Sequence, residues 1–203
     1  MMLYLFNKLP FREQIILKNL CREYYYYFQD KITKIECNAY DFCDIFYIYK
    51  SAKILTLYVN SPSDFALEKL LSLPNLIKLY FIAVFPLRYK ETVLEEFLMD
   101  SRITKLHTNL GNMRIPVCYL EKVTCHTLKS SKIKLSRLKI NDIRANCAAP
   151  HVDKIIIHSL HYVDEQYYDL PHHNILELRN CSVRLIHEEI QNNTLILKNT
   201  RVY

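Results

Sequence analysis

Six basic residues, Lys34, Lys78, Lys105, Lys122, Arg137 and Lys154, each stand immediately before an apolar residue that opens a short apolar-x-apolar alternation. Nine such segments recur, anchored at Ile35, Leu55, Leu79, Leu106, Val123, Leu138, Ile155, Leu176 and Leu195. The remaining three preceding residues are Ile54, Ile175 and Thr194. Neighbouring residues of an extended strand face opposite sides, so inward anchors send these cations outward. Stacked in register about 4.8 Å apart, Lys105, Lys122, Arg137 and Lys154 form a four-residue ladder. Such a row repels itself unless an anion or water neutralises it, and its chemistry is capture of a phosphate backbone or an acidic protein face. The plainer use of the same pattern is lysine stems lying over the sheet with their ammonium groups splayed into water.

The charge distribution singles out the second half. Residues 1–100 hold 12 Lys plus Arg and 12 Asp plus Glu, whereas residues 101–203 hold 15 and 9, so the whole net charge of +6 arises there. Within residues 102–144, ten cations, Lys129, Lys132, Lys134 and Lys139 among them, face only Glu121 and Asp142. The next outward positions supply Asn38, Tyr58, Asn109, His126, Asn141, His158, Arg179 and Lys198. Planar groups such as His126 and His158 beside cations suit single-stranded or irregular RNA, where rings stack on bases and ammonium groups hold phosphate. Polar residues are also the ordinary outward occupants of a half-exposed sheet.

Catalytic readings find little support. The single glycine, Gly111, excludes the glycine-rich phosphate loops and nucleophile elbows that need several positions without a side chain. His151, His158, His161, His172 and His173 cluster in sequence between Cys147 and Cys181, but without the paired spacing that defines a zinc site. Asp153 with His158, or Cys125 with His126, brings no nucleophile, base and oxyanion donors together. The expectation is a non-enzyme with no metal, cofactor or small-molecule substrate.

The elements that would hold the cations follow from the spacing. The anchors lie 15 to 27 residues apart and average 20, the period of a short strand plus a return segment in a solenoid. Each unit is too small to bury its own apolar face, and stacking against neighbours does so. The third apolar position alternates faithfully except at Thr108. Over residues 30–200 this pattern resembles the leucine-rich repeat family, whose turn-forming Asn or Cys after the strand survives plainly at Asn60 and Cys181, though several spacings are shorter than that family's. The resemblance implies an α/β solenoid of about nine parallel strands in one curved sheet. A helical cap is expected over residues 1–30 and the repeats over residues 31–203, all in a single domain. Ser63 caps a return helix stopped by Pro74, and Val93, Leu94, Phe97 and Leu98 mark another over residues 90–99. Later returns are expected to be loops. The stretch LPFREQIILKNLCREYY, from Leu9 to Tyr25, resembles the start of an F-box, which implies recruitment of a ubiquitin-ligase adaptor.

With 203 residues, 50% of them hydrophobic, the chain can bury a substantial core. It shows neither a membrane-length apolar run nor a basic leader with a small-residue cleavage site, so a soluble cytoplasmic protein is expected, with no membrane partner. Seven scattered cysteines, several at inward positions, read as reduced thiols. In size and composition, rich in Ile, Lys, Asn and Tyr with no Trp, the chain is similar to microsporidian ribosome dormancy factors. That likeness implies non-catalytic blockade of the ribosome at a functional site such as the tRNA exit site, through ribosomal RNA and ribosomal proteins. The final residues after the last strand, with Arg201 and Tyr203, then read as a docking tail. Two readings stand: a ribosome- or RNA-bound factor using the basic second half, and a protein-interaction adaptor using the F-box-like opening.

Overall fold

The computed structural model describes residues 5, 8–28, 31–39, 51–60, 70, 73–84, 91–141, 151–158, 172–183 and 194–202. The protein is a parallel-strand β-solenoid with few helices. Its main sheet is made of β1 (Lys34–Asn38), β2 (Ile54–Val59), β3 (Lys78–Ala83), β4 (Lys105–Thr108), β6 (Lys122–Cys125), β8 (Leu135–Ile140), β9 (Val152–His158), β10 (His173–Arg179) and β12 (Thr194–Lys198), in that order across the sheet. Every pairing among them is parallel.

The apolar anchors set the register. Ile35 pairs with Leu55, Leu55 with Leu79, and the series runs on through Leu106, Val123, Leu138, Ile155 and Leu176 to Leu195. From Ile35 to Leu176 these anchors are buried. On six of the nine strands a one-residue slip would exchange the apolar anchor for the cation preceding it, and burial of unpaired charges opposes that. Thr108 sits inward like its apolar equivalents, and its hydroxyl oxygen accepts a hydrogen bond from the Leu110 N–H at 3.2 Å, which satisfies a polar group the core would otherwise strand.

The return segments close the core. Helix α3 (Glu91–Asp100) buries Leu94, Phe97 and Leu98, and its Glu95 carboxylate accepts the Arg114 backbone N–H. After it, the returns are more regular than the loops expected from sequence. β5 (Met113–Ile115) pairs with β7 (Leu128–Ser131), and β11 (Ser182–Val183) with β13 (Arg201–Val202), giving two small parallel sheets. Runs of two to four residues carry too little alternation to announce themselves as strands. The helix expected from Ser63 falls almost wholly outside the described residues.

Before the first strand lie α1 (Phe11–Asn19) and α2 (Arg22–Phe28), from which Ile15, Leu17 and Tyr24 pack against the core. With so little glycine, asparagine takes the left-handed backbone positions: Asn112, Asn180 and Asn199 have φ of 53°, 51° and 49°. Among the described residues no helix is long and apolar enough to cross a membrane.

Candidate polyanion-binding face

The residues preceding the anchors align as the spacing requires. Lys78 pairs with Lys105, Lys105 with Lys122, Lys122 with Arg137, and Arg137 with Lys154. In the next outward row the successive residues are Glu36, Thr56, Tyr80, His107, Thr124, Lys139, Ile156, Glu177 and Ile196. Lys122 and Arg137 are exposed, Lys105 and Lys139 half-buried, and none of the four has an ion-pair partner among the described residues. Glu121, the one described acid of residues 102–144, is exposed and bridges none of them.

The ladder ends sooner than its sequence suggests. Lys154 reaches Glu177 across the strand gap, with Nζ 2.6 Å from Oε2. The same carboxylate takes Arg179 from its own strand, at 2.7 Å from NH2 and 2.8 Å from Nε, and Lys198 from β12 at 2.8 Å. Buried Ile156 and half-buried Ile196 stand directly opposite Glu177 on either side. These neighbours and the cation stems leave its side chain 1% exposed. Hydrogen bonds from Lys154 and Lys198 pull the carboxyl down to about 2, against a smaller opposing effect of burial. Lys154 is therefore a neutralised member of the row, a correction to the four-residue ladder. An acid two residues from Arg179, diagonally placed to Lys154 and Lys198, was the available signal.

The other candidates scatter. Lys129 is exposed on β7, in a small sheet rather than on the main face; Lys132 lies in the following turn, and Lys134 there pairs with Asp153 at 3.4 Å. His126 is exposed just past β6. His158 ends β9 and hydrogen-bonds the Asn180 side chain at 3.2 Å. Arg201 is exposed on β13, and Tyr203 lies outside the described residues.

Two rings missed by the sequence reading stand beside the free cations. Tyr80 and His107 pair in register, their centroids 5.2 Å apart at 50°, and the Lys78 ammonium lies 4.4 Å from the Tyr80 centroid. Burial, then the charges of Lys139 and Lys78, hold the His107 imidazole below its ordinary range, so it is neutral at pH 7. Both rings directly follow an anchor, Leu79 or Leu106, on the outward side of the sheet.

Among the described residues no three His, Cys, Asp or Glu side chains gather as metal ligands. Cys37, Cys125 and Cys181 are buried, and burial raises the Cys118 thiol, away from the reactive thiolate form. What the face offers is positive charge, planar rings and hydroxyls in register on one sheet, which defines a parallel β-solenoid with a cationic face. No family model, curated protein or solved structure matches the chain.

Proposed function

We propose that the protein is a non-catalytic docking module that binds RNA through this face, with the ribosome as the assembly it engages in the manner of a dormancy factor. One observation carries the reading: Lys105, Lys122, Arg137 and Lys139 stand together on one sheet without an acidic partner among the described residues. The strand spacing that aligns them fixes their backbones, so a polyanion orders the side chains but not the chain that carries them. In this reading α1 and α2 are the N-terminal cap of a leucine-rich-repeat-like solenoid, and the protein works in the cytoplasm. Reversing Lys105, Lys122 and Arg137 to Glu together should reduce co-sedimentation with ribosomes at moderate salt on the order of a hundredfold, with an unchanged circular dichroism spectrum. Undiminished co-sedimentation of the folded variant refutes the docking face.

A second reading rests on the N-terminal helices, where Ile16, Leu20, Tyr26 and Tyr27 are exposed apolar side chains. Such a surface suits a ubiquitin-ligase adaptor, as the F-box-like opening implies. Affinity capture with and without nuclease separates the two: RNA docking gives nuclease-sensitive material, and adaptor recruitment gives ligase subunits that survive nuclease and disappear with Ile16→Glu and Leu20→Glu.

A further inference from the structure

We infer that Tyr80 and His107 form a stacking subsite for an unpaired base of single-stranded RNA, a role that presupposes the RNA docking proposed above. In their row the flanking residues are Thr56 on β2 and Thr124 on β6, both short, so two adjacent rings stand between low neighbours. Both rings are half-buried, held by the sheet yet open to solvent on part of their surface. Their cationic surroundings are already in place. Lys78 and Lys105 pair with each other one step before the rings, Lys122 and Arg137 continue that line, and Lys139 follows Thr124 in the ring row.

Cations alone would serve an acidic peptide or a phosphate backbone equally. The ring pair breaks that tie, since a base presents an extended aromatic face that stacks on a ring and a carboxylate does not. A duplex hides its bases in the stack, so the ligand is a strand whose bases are free. The contact between the Lys78 ammonium and Tyr80 is a weak one at a partly exposed site, and base stacking outweighs it. An incoming base therefore displaces the ammonium from the ring toward the adjoining phosphate. Neutral His107 adds a ring face and a nitrogen that accepts from the base edge, without repelling the cations around it.

The test is a fluorescence-anisotropy titration of the full chain with three probes of equal length: oligouridylate, an abasic ribose-phosphate strand and oligothymidylate. Oligouridylate should bind roughly tenfold more tightly than the abasic strand. The Tyr80→Leu, His107→Leu double variant should bring the two together while leaving the abasic affinity unchanged, and Tyr80→Phe should keep the preference. Circular dichroism verifies that the variants fold. No preference in the wild type, or a preference that survives in the folded double variant, overturns the stacking subsite. Tighter binding of oligothymidylate than of oligouridylate overturns RNA as its ligand. Reversal of Lys105, Lys122 and Arg137 reads out separately, as loss of all three probes; if all three still bind, it is the docking face that fails.

Discussion

Lys122 and Lys154 occupy the same row of the same sheet, two strands apart, and serve opposite ends. Around Lys122 the outward neighbours are Lys105, Arg137, Thr124 and Lys139, and its charge remains available. Around Lys154 the β10 strand supplies Glu177, walled by isoleucines, and three cations close over one carboxylate. A basic residue in a repeat is thus no functional statement by itself. Its meaning depends on what the adjoining strand carries two residues along, and one acid converts an open cationic surface into a structural clasp.

Removing that acid gives the largest effect. Glu177→Ala leaves three cations facing each other, which should destabilise the protein by about 2–4 kcal/mol in urea titration, below the full cost of breaking a buried pair because the cations can turn into water. The same change extends the free row, so RNA affinity should rise several-fold with a steeper salt dependence, by roughly one unit of slope. Lower stability without tighter binding would show that the two ends are not interchangeable.

Acid titrates the same contrast. With its carboxyl held near 2, against 4.5 unperturbed, Glu177 is stabilising in full above pH 4.5. As pH falls from there the unfolded chain takes up the proton first, so the contribution drains away and is gone once pH passes below the folded value. The loss is at most about 3 kcal/mol. Unfolding midpoints measured between pH 5 and 2 should lose part of their slope in Glu177→Gln, while RNA binding by the middle of the sheet, which contains no such acid, keeps its own pH profile through that variant.

Smaller still are single neutralisations. Lys122→Gln should lower RNA affinity several-fold and reduce the salt slope by about 0.7, with stability within about 0.5 kcal/mol of wild type. Lys154→Gln should do the reverse: a stability loss of about 1 kcal/mol and RNA affinity within twofold. Matching behaviour of the two variants in either assay would erase the distinction drawn between them.

Much of this frame was legible because the strand signal is strong where one face is buried. Period-two alternation located the anchors, and burial of that row set the register that aligns the cations. What stayed hidden lay between strands rather than along them. Glu177 reads as an ordinary outward residue until Lys154, Arg179 and Lys198 are placed about it, and Tyr80 and His107 lie 27 residues apart in the chain before the register joins them. Short returns such as β5 and β11 were illegible for another reason: they are held by parallel pairing to an equally short neighbour, with too few residues to show a period.

The turn residues show how far a repeat can drift while keeping its physics, and they give the mildest test. Cys181 is buried, and its thiol donates toward the carbonyls of Arg179 at 3.1 Å and Ile157 at 3.7 Å. One repeat later Thr200 stands at the equivalent place, and its hydroxyl oxygen is 3.1 Å from the matching carbonyls of Lys198 and Leu178. In these two repeats the place is filled by a short donor rather than by a particular residue, so a search for Asn or Cys finds one and passes over the other. Thr200→Val, which keeps shape and deletes the donor, should cost about 1 kcal/mol, and Thr200→Cys less than about half of that. In the middle of the sheet the same position is Gly111, with no donor at all, and the turn is held from the next repeat: the Thr127 hydroxyl oxygen accepts the Asn112 N–H at 2.6 Å. Thr127→Val should therefore loosen the turn beside the cationic face by a similar amount, and it should do so without altering the alignment of Lys105 with Lys122, which the β4 and β6 backbones fix independently. Amide hydrogen exchange separates these outcomes: faster exchange confined to Asn112 and its neighbours fits that division, and faster exchange spreading into β4 and β6 shows that turn and ladder are one cooperative unit.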